Sequence, residues 1–305
     1  MPYMSAWQEH IPFAMFLVEI LKPETIVELG THFGVSYCAF CQAVDEVKLD
    51  TRCYAIDTWK GDAHTGFYGP EVLADLRAYH DPLYGSFSTL IQSTFDEALQ
   101  HFADGTIDLL HIDGYHTYEA IKHDFESWLP KVSSHGVILI HDTSVRDRDF
   151  GVRTFWDEAK SRYPHFEFLH CNGLGILAVG VVRSKEVREL LGAPDEEVTA
   201  IRDFFFEIGH KISVIQERDG LDAMIRDRDK LIKTQDSMIR ERDNLVKTQD
   251  AMIRERDDLI KTQDSMIRER DNLVKAQKQE LVFLQHPALV RLHLAIKKAI
   301  ARMTS

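Results

Sequence analysis

Residues 107–143 read IDLLHIDGYHTYEAIKHDFESWLPKVSSHGVILIHDT, and the succession of textures within them sets the fold. IDLLHID (107–113) and GVILIHD (136–142) are apolar runs that end on an acid, and residues 117–128 between them carry helical spacing. Two continuous apolar strands joined by a helix form the unit of a parallel sheet covered on both faces. Upstream, TIVELG (25–30), RCYAID (52–57) and SFSTLIQ (86–92) repeat the strand texture, and a further helical stretch falls near 151–161. FEFLH (166–170) and LGILAVG (174–180) follow, joined by Cys171-Asn172-Gly173, a link short enough for a hairpin. The expectation is an α/β domain over residues 1–210. Its sheet is doubly wound, seven-stranded and mostly parallel, and ends in an antiparallel pair.

Ligands of such sheets bind beyond the carboxyl ends of the strands. The first strand runs into Glu28-Leu29-Gly30-Thr31-His32-Phe33-Gly34-Val35-Ser36. Two glycines in a tight strand-to-helix turn let a ligand approach the backbone, and their spacing is not the G-x-G-x-x-G of a nicotinamide site. The second strand ends on Asp57, whose carboxylate suits a ribose diol. Glu28 beneath the loop suits a cationic group. Together these residues describe an adenosyl site for a sulfonium amino acid rather than a pyrophosphate.

Asp113 and His116 stand at the end of the fourth strand, and His141 and Asp142 at the end of the fifth. Asp113 and Asp142 on adjacent strands suit a hard divalent cation such as Mg²⁺. A histidine ligand, His141 or His116, shifts the preference toward Mn²⁺, Fe²⁺ or Zn²⁺. His116, on the loop, is the first choice for a general base, with His141 the alternative. Plainer roles compete. His111 fits a core histidine, His141 a backbone hydrogen bond, and Asp113 a cap for the helix near Thr117. Cys38 and Cys41 form a C-x-x-C one turn past the glycine loop with no second pair, so they read as buried helix residues. The stretch 57–69 reads as a loop over the site. Residues 146–149, Arg-Asp-Arg-Asp, read either as a second lid or as a solvated charge run.

VELGTHFGVS, YAIDTW and the stretch 107–143 together resemble class I S-adenosylmethionine-dependent methyltransferases. The closest likeness is to the bacterial branch carrying H-I-D-G-x-H-x-Y-E, and it covers about residues 24–181. The resemblance implies a Rossmann-like fold in which Glu28, Gly30, His32, Gly34 and Ser36 hold the methionine part of S-adenosylmethionine. It likewise implies Asp57 on the ribose, Trp59 flanking the adenine, and Ser93 and Thr94 bordering it. Asp113 serves as a cofactor contact and as a catalytic residue beside His116 and His141. Metal-dependent O-methyltransferases of similar fold bind Mg²⁺ at these strand ends, which implies Asp113, Asp142 and His141 as ligands here. Catechol-type relatives carry an acid or Asn after the second Asp, where this chain has Thr143. The stretch 150–181 resembles members associated with cell-surface polysaccharide glycosyltransferases.

From about residue 217 the texture changes. LIKTQDSMIRERDN at Leu231, LVKTQDAMIRERDD at Leu245 and LIKTQDSMIRERDN at Leu259 are three copies of a fourteen-residue repeat. An apolar pair recurs every seven residues from Met224-Ile225 to Leu273-Val274, and no Gly or Pro interrupts Leu221–Gln285. That period predicts a left-handed coiled coil over 211–286, with a homotrimer slightly favoured over a dimer. With Ile or Val at position a, Arg and Gln alternate at d from Arg228 to Arg270, and Asp occupies every e from Asp229 to Asp271. The tail, 287–305, is a basic amphipathic helix. Leu289, Leu292, Ile296, Ala299, Ile300 and Met303 share one face, Arg291, Lys297, Lys298 and Arg302 lie elsewhere, and there is no acid. Such a helix suits an anionic membrane surface, a partner groove or the end of its own rod.

Composition sets the remaining limits. In 305 residues, 44% are hydrophobic and 28% charged, enough for a folded core. A net charge of −13 argues against a nucleic-acid partner, and four cysteines form no disulfide framework. The start lacks a signal-peptide pattern, and no apolar run approaches the ~20 residues of a membrane span. The expected location is the cytoplasm, with the tail able to meet the inner face of the membrane. The expected activity is O-methylation of a sugar hydroxyl on a bacterial surface polysaccharide. The glycan is then the acceptor, the rod serves oligomerisation and spacing, and a glycosyltransferase or the membrane contacts 288–305. Two alternatives stand beside it: an inactive methyltransferase-like scaffold organising glycosyltransferases, and a metal-dependent hydroxylase-like enzyme on the same fold.

Overall fold

A computed structural model describes residues 5–147 and 149–303, apart from the side chains of Leu284, Arg302 and Met303. Arg148 of the charged loop, and Arg302 and Met303 as members of the tail's faces, therefore lie outside the described residues. The strands are β1 Thr25–Leu29, β2 Arg52–Asp57, β3 Gly61–Asp62, β4 Gly66–Phe67, β5 Ser88–Gln92, β6 Ile107–Ile112, β7 Val132–His141, β8 His165–Phe168 and β9 Leu174–Ala178. The helices are α1 Ile11–Leu21, α2 Val35–Val47, α3 Glu71–Tyr84, α4 Phe95–Ala98, α5 Tyr118–Trp128, α6 Val152–Ala159, α7 Lys185–Leu191, α8 Asp195–Leu284 and α9 Pro287–Met303.

Seven strands form one sheet in the order β5-β2-β1-β6-β7-β9-β8, with β3 and β4 a separate small hairpin. From β5 to β7 all neighbours are parallel, while β9 runs antiparallel to both β7 and β8. This is the doubly wound, seven-stranded, mostly parallel sheet with an antiparallel end that the alternating sequence predicts. The strands read as unbroken apolar runs because both faces are covered. Phe13, Leu17, Phe40, Leu73 and Phe168 fill one layer. Ile121, Phe125, Trp128, Phe155 and Trp156 fill the other. β7 begins at Val132, four residues before the run at 136, because its pairing with β6 is irregular between Ile107 and Leu109.

Register places the site. Leu29 pairs with Ile112, and Ile112 with Ile140, so Gly30, Asp113 and His141 follow side by side at one edge. The order of strands reverses direction between β1 and β6, which opens the crevice there.

The chain divides into two compact units, Met1–Asp222 and Ala223–Ser305. The opening turns of α8 belong to the first, which runs past the expected boundary at 211 to Asp222. Phe205 is buried against Phe13 and Phe168, and Arg202 Nε donates to the Glu167 carbonyl at 2.6 Å. In the second unit α8 continues to Leu284, and α9 starts at Pro287, where a missing N–H costs nothing. No helix among the described residues is long and apolar enough to cross a membrane.

Candidate functional site

Two adjoining cavities of about 250 and about 270 Å³ lie over the carboxyl ends of β1, β2, β6 and β7. Gly30, His32, Thr65 and Asp113 line both, so these residues mark where the two meet.

The first cavity is bounded by Asp57, Thr58, Thr94, Phe95, Tyr115 and the β3–β4 hairpin, including Asp62 and Tyr68. Gly30 has a φ of +87°, and a Cβ there would stand 2.0 Å from the Asp113 carbonyl oxygen. Only glycine permits this approach of β1 to β6. Asp57 holds the same loop from the other side. Its Oδ2 accepts from the Thr31 and His32 amides, both at 2.9 Å, and its Oδ1 accepts from the Trp59 amide at 2.7 Å. Asp57 still lines the cavity, so remaining lone pairs face the space where a diol would sit. Trp59 is buried and donates from Nε1 to the His32 carbonyl at 3.0 Å. It braces the loop and lines neither cavity. Thr94 lines the cavity and caps α4 by accepting from the Glu97 amide, while Ser93 contributes its own amide to the Asp57 carbonyl. His32 stacks on Tyr68, and burial holds its pKa below the ordinary value against the nearby carboxylates of Asp57 and Asp113.

Glu28 lies beneath this loop and faces inward. It is fully buried, and its Oε2 sits 2.8 Å from His111 Nδ1. His111 Nε2 accepts from Trp7 Nε1 at 3.2 Å, so Nδ1 carries the proton that goes to Glu28. His111 is thus a satisfied core histidine, and Glu28 lines neither cavity. Gly34 caps α2 at a φ of +78° with its Cβ position filled by Leu76, and Ser36 lines the second cavity.

The second cavity holds the acid and histidine cluster. His116 Nε2 is 2.9 Å from Asp142 Oδ2 and 3.8 Å from Asp113 Oδ1. His141 Nδ1 is 3.4 Å from Asp113 Oδ1 and 3.5 Å from Asp142 Oδ2. Asp142 takes a φ of +63°, an uncommon conformation for a non-glycine residue that turns its carboxylate toward these partners. Burial opposes charge on His141, but Asp113 and Asp142 outweigh it and push its pKa up to about 10. The same contest leaves His116 at about 9 and Asp142 at about 2. Asp113 is held well below the usual carboxylate range, as the His141 and His116 contacts overcome its burial.

The cluster fits a cation. Asp113, His141 and Asp142 offer ligand atoms within 4.8 Å of one another. His141 Nε2 faces the Cys171 carbonyl at 3.1 Å, which assigns its proton to Nε2 and leaves the Nδ1 lone pair pointing between two carboxylates. That arrangement calls for a proton or a metal ion at Nδ1. Asp142 Oδ1 is also buried without a hydrogen-bond partner.

Other lining residues escaped the sequence reading. Ser5, Ala6 and Trp7 close the second cavity from the N-terminal segment, and Asn172 comes from the β8–β9 link. His64 of the β3–β4 turn stacks on Phe150 at 4.9 Å and on Tyr115 at 4.6 Å, and Phe150 stacks on His116 at 4.7 Å. The 57–69 segment does border the site, and the loop after β7 contributes Phe150 to it. Cys38 and Cys41 are buried in α2 away from both cavities.

Residues 27–143 match a family model described as a methyltransferase domain. An uncharacterized protein of Sinorhizobium fredii is 49% identical over 185 residues, which are 61% of this chain and 20% of that protein. The chain thus spans about a fifth of that relative's length. A methyltransferase from Geobacter sulfurreducens superposes with a TM-score of 0.43 at 16% identity, covering 58% of this chain and 81% of that one. An O-methyltransferase from Bacillus cereus in complex with SAH gives 0.42 at 15% identity, covering 55% and 80%. Residues 27–143, which carry the likeness to a methyltransferase domain, run from within β1 to just past β7 of the doubly wound sheet.

Proposed function

We propose that this chain is an S-adenosylmethionine-dependent O-methyltransferase that binds the donor in the first cavity and a hydroxyl acceptor in the second. The observation that carries the reading is the meeting of the two cavities at Gly30 and Asp113. A loop suited to an adenosyl donor opens there directly onto a cluster suited to an oxygen nucleophile. Asp57 and Thr94 face the nucleoside part, and the bared backbone at Gly30 admits the methionine part toward Asp113. The transfer is an in-line displacement in which the acceptor oxygen forms a bond to the methyl carbon as its bond to sulfur breaks. The sulfonium leaves as a neutral thioether, and the hydroxyl proton passes to a base. Holding the two reactants in contact across the shared wall supplies most of the acceleration.

His116 stands at the acceptor side, with its proton held on Asp142. Its pKa of about 9 makes it a cation near neutral pH, so it accepts a proton only after the charge of Asp113 and Asp142 is taken up. A divalent cation on Asp113, Asp142 and His141 would lower the acceptor hydroxyl's pKa and free His116 for that role. A sugar hydroxyl of a bacterial surface glycan is the acceptor we favour. The support is the resemblance of residues 150–181 to polysaccharide-associated members.

The test is a calorimetric titration of S-adenosylmethionine with and without EDTA, followed by a glycan acceptor screen read by mass spectrometry. Donor binding with methylated glycan is expected. A folded protein that binds no donor refutes the reading and leaves a non-enzymatic scaffold.

A further inference from the structure

The second unit presents an apolar stripe that no other described residue of that unit covers. The eight pairs from Met224-Ile225 to Leu273-Val274 all lie on α8, and each member is between 40% and 70% exposed. A single helix gains nothing from such a stripe in water, and its length far exceeds an ordinary exposed patch.

The charges beside the stripe are uncommitted. In the second unit the ion pairs among the described residues are Lys230–Asp227 and Lys261–Asp258, both within one turn of the helix. Arg228, Arg242, Arg256 and Arg270 form none, and neither do Asp229, Asp243, Asp257 and Asp271 beside them. The repeats are neutral or nearly so: Lys233, Arg240 and Arg242 balance Asp236, Glu241 and Asp243 in the first copy, the third copy balances in the same way, and Asp258 leaves the second with one extra negative charge. A nearly neutral surface carrying both signs at a fixed spacing is unsuited to an anionic membrane and complements itself.

We propose that residues 224–274 form a self-recognition surface that takes further copies of this chain in parallel and in register. In that arrangement Ile and Val at a pack on Ile and Val, and Leu and Met at g close over them. A d residue packs into a hole bordered by the e residue of the facing helix. Arg228 therefore meets Asp229 of the neighbouring copy, and Arg242, Arg256 and Arg270 meet the neighbour's Asp243, Asp257 and Asp271. Gln235, Gln249 and Gln263 donate to the neighbour's Asp236, Asp250 and Asp264 in the alternate layers. An antiparallel pair would instead set Ile and Val against Arg and Gln and leave the guanidinium groups in apolar holes. A seven-residue slip places Arg layers opposite Gln layers, and a fourteen-residue slip leaves two apolar pairs bare at each end. The polar d layers therefore select one alignment, at a cost in stability that the long stripe outweighs.

The test uses the full chain with Cys171→Ser, since Cys38, Cys41 and Cys53 are buried. Light scattering should give the mass of two or three chains. Ile225→Cys and Val274→Cys, made separately and oxidised, should each cross-link to the identical position. Arg242→Glu with Arg256→Glu should weaken association at least tenfold, and adding Asp243→Arg with Asp257→Arg should restore it. Intrinsic tryptophan fluorescence checks that the first unit stays folded in every variant, because Trp7, Trp59, Trp128 and Trp156 all lie there, and far-ultraviolet circular dichroism checks the helix of the second. A monomeric mass, cross-links that form only when the two cysteine variants are mixed, or no rescue by the paired reversal each overturn the proposal.

Discussion

Asp57→Asn isolates the residue that ties β2 to the glycine loop. Three backbone amides converge on its carboxylate, from Thr31, His32 and Trp59, at 2.7–2.9 Å. Asparagine keeps the shape but supplies one oxygen, so its amide hydrogens must face at least one N–H donor. If the oxygen goes to Thr31 and His32, those two bonds pass from charged to neutral and each weakens by about 1 kcal/mol. The Trp59 amide then loses its acceptor, a further ~1–2 kcal/mol because it is left unsatisfied beside a buried indole. The sum is about 3–4 kcal/mol. For a unit of this size it corresponds to a fall in Tm of about 10 °C. The assay is thermal unfolding followed by tryptophan fluorescence, which reports the first unit alone because all four tryptophans lie in it. Calorimetric titration of S-adenosylmethionine should show a parallel loss, since the loop that Asp57 positions is the proposed donor seat. A Tm within about 2 °C of the parent, with donor affinity unchanged, would show that the three bonds neither hold the loop nor serve the donor.

Gly30→Ala tests the close approach of β1 to β6. The new Cβ would meet the Asp113 carbonyl at 2.0 Å in a left-handed conformation, so donor affinity should fall more than tenfold by calorimetry, and retention of affinity would place the donor elsewhere. The charge cluster predicts how urea stability, measured in EDTA, varies with pH. His116 and His141 are raised to about 9 and about 10, so their contribution is complete below their ordinary value of 6.5 and disappears as pH climbs through 9 and 10. Asp142 is depressed to about 2, so its contribution is complete above 3.8 and is lost as pH falls through 2. Asp142→Asn should flatten the alkaline decline, and an unchanged slope would mean that the histidines draw their charge stabilisation from elsewhere. The tail predicts salt-sensitive binding to anionic vesicles. Arg291, Lys297 and Lys298 each contribute about 1 kcal/mol near such a surface, beside exposed Leu289, Leu292, Ile296 and Ile300. Truncation before Pro287 should abolish co-sedimentation, and equal binding to neutral vesicles would refute the electrostatic part.

How much of this is legible in the sequence depends on whether a feature is local. The strands of the sheet announce themselves because burial on both faces demands unbroken apolar runs, and the acids at their ends stand out against that background. Asp113 and Asp142 could be paired in advance, since neighbouring parallel strands must bring equivalent ends together. The long helix α8 was readable for a related reason, because a seven-residue period is a property of the chain itself. What the sequence hid is carried by contacts across long separations. Trp7 reaches His111 across 104 positions, and no spacing rule connects them. That contact, with His111 donating to Glu28, turns an acid at the expected methionine position into a member of the core. The stacking of His64 on Phe150 and of Phe150 on His116 likewise joins two loops whose residues carry no shared pattern. The same distinction separates the two readings of His141. Its place at a strand end was evident, but the Cys171 carbonyl that orients its ring comes from the far hairpin. That single bond decides which nitrogen faces the carboxylates, and with it whether the cluster presents a lone pair to a cation or a proton to an acid. The cluster's chemistry therefore rests as much on the β8–β9 link as on the strand ends that reveal it.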